Sequence, residues 1–292
     1  MTARLSSTSD PRALPASGGC RDHDRTTARR RRPRTPGGGL MASAAPPHAF
    51  RLVTSRQRWS AVTFLHWAFP PATIQRHLPA GLEVDVIDGA AWVSLTPLVM
   101  QDVRASVLPP VPGWSDFVEV NVRTYVRHGP SGTDGLWFFA LLCPRVAMVA
   151  AMRVLGLPYR VFPGTAERSG GAALYRGSHP RRGRIDLAVR PGERIAEPSP
   201  WLVAVTGRWN AYLVRFGRLW RVPVTHPPWP LHGATLVGAS REVNGIWASV
   251  GLPAPDTDPV VTWSPGVDAR VGVPRLLPRG HPSSFDRQGK DP

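Results

Sequence analysis

The sequence almost lacks one of the two strongly basic residue types: of its 36 lysines and arginines, only Lys290 is a lysine. An enzyme that forms a Schiff base needs a buried lysine whose pKa is lowered by desolvation, and a lysine beside the C-terminus does not provide that setting. Arginine cannot replace it, because the guanidinium stays protonated and is not nucleophilic. The composition therefore excludes Schiff-base catalysis by this chain.

Cysteine is scarce as well, with Cys20 near the N-terminus and Cys143 in the apolar centre of the sequence. Two thiols so placed do not indicate a disulfide framework. The absence of such a framework is typical of proteins of the reducing cytoplasm, which is the predicted location. Apolar runs are short, since the longest, residues 136–152, is interrupted at Pro144 and Arg145. A membrane-crossing helix needs about 20 apolar residues, so no membrane partner is expected.

The short motifs that hold nucleotides, phosphates or metals are missing: the sequence has no GxGxxG, GxxxxGK[ST], HExxH or CxxC. His66, His226 and His232 do not fall at a recognisable metal-ligand spacing. Each is expected to be a core histidine bonded to a backbone carbonyl. We therefore predict no cofactor and no metal.

Residues 1–40 contain no aromatic residue and carry nine arginines against three aspartates, so they supply 9 − 3 = +6 of the net charge of +16. Such a segment buries too little apolar surface to offset its ordering entropy. Two explanations stay open: translation begins at Met41, or the arginines of residues 29–34 form an arm that binds nucleic acid. The predicted organisation is a disordered tail at 1–45, one domain at 46–276 and a second disordered tail at 277–292.

The most informative segment is residues 118–127, in which apolar and polar side chains alternate as in a β-strand with two unlike faces. The polar face carries Glu119, Asn121, Arg123, Tyr125 and Arg127. These groups suit a small polar ligand, although a polar strand face also occurs where a strand meets water. Both interpretations, a solvated face and a cavity wall, remain open at this point.

The rest of the chain predicts many short strands and a few short helices. An Asp88-Gly89 turn joins two strands, helices are expected at 144–155, 200–206 and 241–250, and short strands at 209–216, 219–224, 260–263 and 267–271. About ten strands with three or four small helices indicate an antiparallel α+β fold. So many strands in one domain favour closure into a β-barrel or cone around an interior.

Several motifs resemble a bacterial family of uncharacterised proteins, domain of unknown function 2071, from about residue 51 to residue 273. They are His66-Trp67, the LPAGL of residues 78–82, the DGAAWV of 88–93, the EVNVRTYV of 119–126, the LPY of 157–159 and the HPPWP of 226–230. The family is similar to the acetoacetate-decarboxylase-like superfamily, which implies a closed antiparallel barrel or cone around a cavity. In those decarboxylases a strand glutamate is followed by a helix that ends in Gly-aromatic-Pro-Lys-Lys, whose first lysine forms the Schiff base. The resemblance puts Glu119 at the glutamate and Tyr159 at that lysine, with Arg160 beside it.

Three functional hypotheses follow. In the first, a small-molecule-binding barrel acts as an enzyme, of lyase or hydrolase type without a Schiff base, on an oxo- or carboxylate-bearing metabolite. Arg123 holds the carboxylate, Glu119 is the general acid or base and Tyr159 donates a hydrogen bond. Further ligand-binding residues are predicted at the positions Asn121, Tyr125, Arg160 and His66.

The second hypothesis is a metabolite-binding module without catalysis, and the third is nucleic-acid binding through the arginine-rich tail. The third is the least favoured, because the arginines are scattered and are not interleaved with stacking aromatic residues. A structural reading also stays open, in which Glu119 and Arg123 form an ion pair that fills the barrel interior. The sequence does not predict an oligomeric state.

Overall fold

A computed structural model describes residues 52–278 together with Ser43, Ala45 and Pro46. The arginine-rich segment, Lys290 and most of the two predicted tails lie outside the described residues. Two described positions in those tails contact the domain. The carbonyl of Ser43 accepts a hydrogen bond from the indole of Trp209 at 2.8 Å, and Leu277 is buried beside Leu82 and Tyr212.

The described part of the chain is mostly β-sheet. Its strands are β1 Val53–Phe69, β2 Leu82–Val84, β3 Val86–Ile87, β4 Ala90–Ala105, β5 Phe117–His128, β6 Asp134–Cys143, β7 Tyr159–Val161, β8 Gly164–Ser169, β9 Ala172–His179, β10 Gly183–Arg194, β11 Asn210–Arg215, β12 Arg218–Thr225, β13 His232–Glu242, β14 Val260–Gly272 and β15 Arg275–Leu276. Its helices are α1 Pro71–Gln75, α2 Val146–Val154, α3 Pro200–Thr206 and α4 Ile246–Ser249. Among the described residues, none of these helices has the length and apolar character that crossing a membrane requires.

The strands form one sheet in the order β15-β12-β11-β6-β5-β4-β1-β14-β13-β10-β9-β8, with β2, β3 and β7 attached to β5, β4 and β6. The strand β12 also pairs with β14, through Val224 with Val271 and Thr225 with Arg270. Most pairings are antiparallel, as predicted, but β6 pairs in parallel with both β7 and β11. The predicted β-rich α+β class with few short helices is confirmed.

Local turn chemistry accounts for the elements that were predicted well. Asp88 and Gly89 both adopt positive φ, 51° and 79°, which is the hairpin turn expected between β3 and β4. The helix α2 ends at Gly156, whose φ of +88° suits a glycine cap. A side chain there would also come within 2.8 Å of the Val214 carbonyl oxygen. In α3, the Ser199 hydroxyl caps the helix by accepting a hydrogen bond from the Leu202 amide at 3.2 Å.

Two predicted elements are wrong. Residues 241 and 242 belong to β13, so the last helix is only the four residues of α4. The strands predicted at 260–263 and 267–271 form the single strand β14, although a Ser-Pro-Gly sequence separates them. The chain continues there because Gly266 pairs with Ser60 of β1 at a φ of +128°, where a Cβ would collide with the Trp59 carbonyl. Glycine thus allows a close approach of two backbones instead of a turn.

The strand β5 lies between β4 and β6 and is buried on both faces. On one face, Val120 and Val122 join a core cluster with Trp67, Leu142 and Trp247. On the other face, Phe117 and Tyr125 belong to a second cluster. The interpretation of the polar face as a water-exposed surface is therefore wrong.

Candidate functional site

The polar face of β5 forms one wall of a cavity of about 660 Å³. Glu119, Asn121 and Arg123 line this cavity, with exposed fractions of 4%, 9% and 8%. Alternate residues of a strand project to the same side, so the three side chains stand in a row about 7 Å apart. The structure thus brings together three of the seven predicted site residues on one strand.

The pairing of β5 with its neighbours gives the cavity a direction. Arg123 pairs with Ser94 of β4 and Phe138 of β6, whereas Glu119 pairs with Leu98. Further along, Phe117 pairs with Met100. The cavity opens beyond that point, because the lining residues Leu108, Val111 and Trp114 are exposed to solvent. Arg123 therefore lies at the inner end, Glu119 halfway and the apolar residues at the mouth.

A fourth predicted residue, Tyr159, reaches the same cavity from β7. Gly156 ends α2, and the chain then pairs Tyr159 with Leu141 of β6, the residue that also pairs with Asn121. The Tyr159 hydroxyl donates a hydrogen bond to Glu119 Oε2 at 2.6 Å. These two groups, 40 residues apart in sequence, form the polar pair in the middle of the cavity.

Burial controls the protonation of this pair. Desolvation raises the pKa of Glu119 to about 7, and hydrogen bonds from Tyr159 and Asn121 oppose the rise. Burial and then the nearby Glu119 charge raise the pKa of Tyr159 well above its ordinary value. Tyr159 therefore remains a hydroxyl donor, while Glu119 changes its charge near neutral pH. A carboxyl with such a pKa can both accept and return a proton under ordinary conditions.

Arg123 has no ion-pair partner among the described residues, and its buried Nε has no hydrogen-bond partner there. Burial lowers the pKa of Arg123, and the phenol of Tyr125 opposes this shift. The guanidinium stays charged at physiological pH and lies 5.4 Å from the centroid of the Phe64 ring. The proposed structural ion pair between Glu119 and Arg123 is not formed.

A second buried arginine in the cavity wall, Arg208, has the partners that Arg123 lacks. Its Nη1 contacts the carboxylate oxygens of Asp85 at 2.6 Å and Asp134 at 3.3 Å. Burial alone would raise the pKa of Asp85, but Arg208 and Arg127 hold it below its ordinary value. Arg127, the last residue of the polar face, thus serves this ion-pair network. Nothing in the local pattern around Arg208 indicated that it would line the site.

His66 and Tyr125 are fully buried behind the lining of the cavity. The Nδ1 of His66 lies 3.1 Å from the Tyr125 hydroxyl and 3.0 Å from the Ser94 hydroxyl. Burial, followed by the charge of Arg123, lowers the pKa of His66 to about 3, so the ring is neutral. The backbone-carbonyl cap predicted for this histidine is replaced by two hydroxyls. Both residues support the Arg123 end of the cavity and do not line it.

Arg160 lies outside the cavity, which corrects its predicted place in the ligand site. Its Nη1 donates a hydrogen bond at 2.6 Å to the carbonyl of Ser249, the last residue of α4, on the opposite side of β7. The alternation of the strand explains this placement, because Tyr159 and Arg160 are consecutive residues and point to opposite faces.

An aromatic wall lies near Arg123. The Trp59 and Trp229 rings stack at 5.9 Å, and Phe64 meets Trp229 edge-on at 5.2 Å. His226, which lies 4.7 Å from Trp229, donates from Nδ1 to the Pro227 carbonyl at 2.7 Å, so the predicted backbone cap is confirmed there. Burial lowers the pKa of His226 to about 4, and the charge of Arg123 acts in the same direction. The HPPWP motif was the only signal for this wall.

Metal-ligating side chains do not gather in this cavity. Within residues 52–278 and the three described residues before them, no group of three or more His, Cys, Asp and Glu side chains could hold an ion. The polar groups along its β5 wall are a guanidinium, an amide and a carboxyl that has the Tyr159 phenol as its partner. They suit an organic anion better than a metal.

The β-rich fold is similar to that of acetoacetate-decarboxylase-like proteins. With the enduracididine biosynthesis enzyme MppR, bound to HEPES buffer, the TM-score is 0.57 at 16% identity, over 78% of this chain and 89% of that chain. With the acetoacetate decarboxylase of Legionella pneumophila the TM-score is 0.52 at 15% identity, over 80% of this chain and 92% of that chain. At these identities the similarity establishes the fold alone.

The sequence itself establishes the family. Residues 56–268 match the family described as "Uncharacterized conserved protein", domain of unknown function 2071, and the chain belongs to it. The uncharacterized protein YqjF of Bacillus subtilis (strain 168) is 30% identical over 214 residues, which is 72% of this chain and 86% of that protein. The resemblance drawn from the sequence motifs is confirmed.

Proposed function

We propose that this protein binds a small organic anion, a metabolite with a carboxylate or an oxo group, in the cavity beside β5. The observation that supports this most directly is the buried guanidinium of Arg123, which lacks an ion-pair partner among the described residues. Leaving a charge buried and unpaired costs several kcal/mol, roughly, in proteins. A carboxylate ligand would supply the missing partner and accept hydrogen bonds from the planar fork.

We further propose that the bound molecule undergoes a proton transfer, of the kind that lyases and hydrolases perform, with Glu119 as general acid or base. The pKa of about 7 at Glu119 suits this role, and Tyr159 holds the carboxyl in place from 2.6 Å. Tyr159 stands where the resemblance to the decarboxylases puts their Schiff-base lysine. The chain has no suitable lysine, so this chemistry proceeds without a covalent imine.

One similar structure supports the chemical class of the ligand. The enduracididine biosynthesis enzyme MppR has been solved in complex with pyruvate, with a TM-score of 0.55 and 15% identity, over 80% of this chain and 94% of that chain. Pyruvate carries both a carboxylate and an oxo group. We propose the same class for this chain, recognised here through Arg123 and Asn121.

The proposal includes the setting of the site. The pairing of β12 with β14 would join the strands around the cavity into a closed barrel within a single domain, residues 46–276. A cytoplasmic location, where metabolites of this class are abundant, remains part of the proposal. A binding module without catalysis is the second candidate, because the unpaired Arg123 supports binding regardless of turnover.

The test measures binding first and turnover second. The thermal unfolding of the protein is followed with a panel of short oxo acids and their neutral esters, and a ligand that binds the folded state raises Tm in proportion to its affinity. Arg123→Met should abolish the shift, whereas Arg58→Met, which removes an exposed arginine outside the cavity, should keep it. A shift that survives Arg123→Met would refute the proposed site.

Turnover is tested with the acids that bind, by NMR in D₂O, where proton exchange or bond cleavage changes the substrate signals. Glu119→Gln should retain binding and lose the reaction. A parent protein that binds these acids but never exchanges or converts them would instead favour the non-catalytic module.

A further inference from the structure

We infer that the ligand is an amphiphilic carboxylate, with its carboxylate at Arg123 and a long apolar tail that extends past Glu119 to the mouth of the cavity. This inference rests on the proposed function, because it keeps Arg123 as the anion site. It adds the class of the molecule, an acyl chain or similar extended apolar group joined to one carboxylate.

The volume of the cavity is the first support. At about 660 Å³, it lies in the range of roughly 300–1,000 Å³ that is typical of sites for drug-sized ligands. An acid of the size of pyruvate would fill a small part of it. The remaining space would expose apolar walls to confined water, which is unfavourable in proportion to the area left wet.

The distribution of polar groups along the cavity is the second support. From Arg123 to Phe117 the polar face of β5 runs about 20 Å at the usual rise of a strand. The unpaired cation lies at the inner end of this path, and the wall near Glu119 and beyond is mainly apolar. Its residues there are Leu98, Met100, Phe117, Leu141, Met148 and Met152. A molecule with its charge at one end matches this distribution along β5.

The protonation of Glu119 agrees with an apolar tail beside it. With a pKa of about 7, the carboxyl is largely neutral below neutral pH, and Tyr159 already satisfies one of its oxygens. A neutral, hydrogen-bonded carboxyl tolerates an apolar neighbour far better than a free carboxylate does. The tail can therefore pass Glu119 without separating an ion from its partner.

The mouth of the cavity is the third support. Leu108, Val111, Trp114 and Leu155 line the cavity and are also exposed, with fractions of 59%, 57%, 43% and 43%. Large apolar side chains that cluster at a surface are typical of binding sites. Here they continue the apolar wall of the interior, so a tail remains in apolar surroundings as it enters.

Two further arginines, Arg104 and Arg215, line the cavity nearer to the mouth. Arg104 donates to the carbonyl of Asp102 at 3.2 Å, and the guanidinium of Arg215 lies 4.8 Å from the exposed Phe216 ring. These groups define the competing orientation, in which the carboxylate stays at the mouth and the tail lies inside. The Nε atoms of Arg123 and Arg215 both lack a hydrogen-bond partner among the described residues, so Arg123 is favoured because it is the more deeply buried cation.

The experiment is a calorimetric titration of the full chain with butyrate, hexanoate, octanoate and decanoate, each kept below its micelle concentration. Each acid in this series has two methylenes more than the one before it. Burial of these two groups should lower Kd about tenfold at each step. Decanol, which has the tail without the charge, should bind at least about tenfold more weakly than decanoate. Arg123→Met should remove this difference, and Arg215→Met should leave it in place.

Two variants locate the tail. Met100→Trp fills the cavity between Glu119 and the mouth, so decanoate should lose affinity while butyrate keeps its own. Because Met100 is buried, circular dichroism must show that this variant is folded. Leu108→Glu changes an exposed residue of the mouth, and it should weaken decanoate selectively without a change in stability.

Each outcome has one meaning. Affinity that rises with tail length and depends on Arg123 supports the inference. Affinity that is flat with length, while short oxo acids still bind through Arg123, overturns the inference and leaves the proposed function intact. Loss of decanoate binding in Arg215→Met instead of Arg123→Met overturns the orientation. If neither short nor long acids bind, the proposed function fails as well.

Discussion

The Tyr159 hydroxyl and the Glu119 carboxyl share one hydrogen bond of 2.6 Å, and both side chains are largely buried in the cavity wall. Burial acts on the two groups in the same direction, since it disfavours the charged form of each. Their different ordinary pKa values then separate their roles. Tyr159 stays protonated throughout the physiological range, whereas Glu119 titrates inside it, so the pair has one fixed donor and one group that exchanges a proton.

Substitution of Tyr159 by phenylalanine should raise the pKa of Glu119 above about 7. The hydrogen bond from Tyr159 favours the charged carboxylate, and its removal leaves desolvation less opposed. The carbon-13 chemical shift of the Glu119 carboxyl, followed against pH, measures this directly. The isosteric Asn121→Leu should also raise the pKa of Glu119. An unchanged titration midpoint in Tyr159→Phe would show that the hydrogen bond between Tyr159 and Glu119 is not maintained in solution.

Glu119 should also make the folded protein less stable as the pH rises. Its pKa is about 7 in the folded state and about 4.5 in the unfolded state, so between these values the folded state holds the extra proton. Stability is then highest below about pH 4.5 and falls as the pH rises to about 7, by an amount on the order of 3 kcal/mol.

The variant Glu119→Gln removes this titration and serves as the test. The free energy of unfolding in urea is measured for both proteins. The difference between Glu119→Gln and the parent should shift in favour of the variant from acidic to alkaline pH. Glu83→Gln, on the short strand β2, controls for the loss of one carboxyl. A parallel pH dependence in the parent and in Glu119→Gln would contradict the raised pKa.

The two buried arginines of the cavity should respond in opposite ways to the same substitution. Arg208→Met leaves Asp85 and Asp134 without their partner, and breaking a buried ion pair in this manner costs about 3–5 kcal/mol. Arg123→Met removes a charge that has no ion-pair partner among the described residues, so it should leave the free energy of unfolding unchanged or raise it. Chemical unfolding of both variants without ligand measures the contrast. Equal destabilisation would mean that Arg123 has a structural role.

His226 should contribute a loss of stability in acid. Its pKa is about 4 in the folded state because burial disfavours the charged ring, whereas an unfolded histidine titrates near 6.5. The unfolded state therefore binds the extra proton between these values, and stability falls as the pH decreases from about 6.5 to about 4. His226→Asn should reduce this fall in thermal unfolding, with His77→Asn, which lies outside the cavity lining, as the matched control. If stability falls in acid by the same amount in His226→Asn as in the parent, the ring is not buried in solution.

The candidate site was predictable to the extent that it depends on local periodicity. The alternation of β5 already placed Glu119, Asn121 and Arg123 on one face, because neighbouring side chains of a strand must point to opposite sides. The same rule, applied to Tyr159 and Arg160, would have separated the residue in the cavity from the residue outside it. Composition decided the chemistry in the same direct way, since a chain with one lysine near its end has no Schiff-base nucleophile in a core.

The enclosure of that face and the partners of its charges depended on distant parts of the chain. Arg208 bonds to Asp85, which is 123 residues away in the sequence, and Tyr159 bonds to Glu119, which is 40 residues away. Both contacts depend on strand pairings that no local pattern specifies. The continuous strand β14, where two strands were predicted, depends in the same way on the close approach of Gly266 to β1. The sequence by itself determined which groups are available and which chemistry is impossible. Only the tertiary structure decided which arginine is paired and which carboxyl is neutral, because the energy of a buried charge depends on everything packed around it.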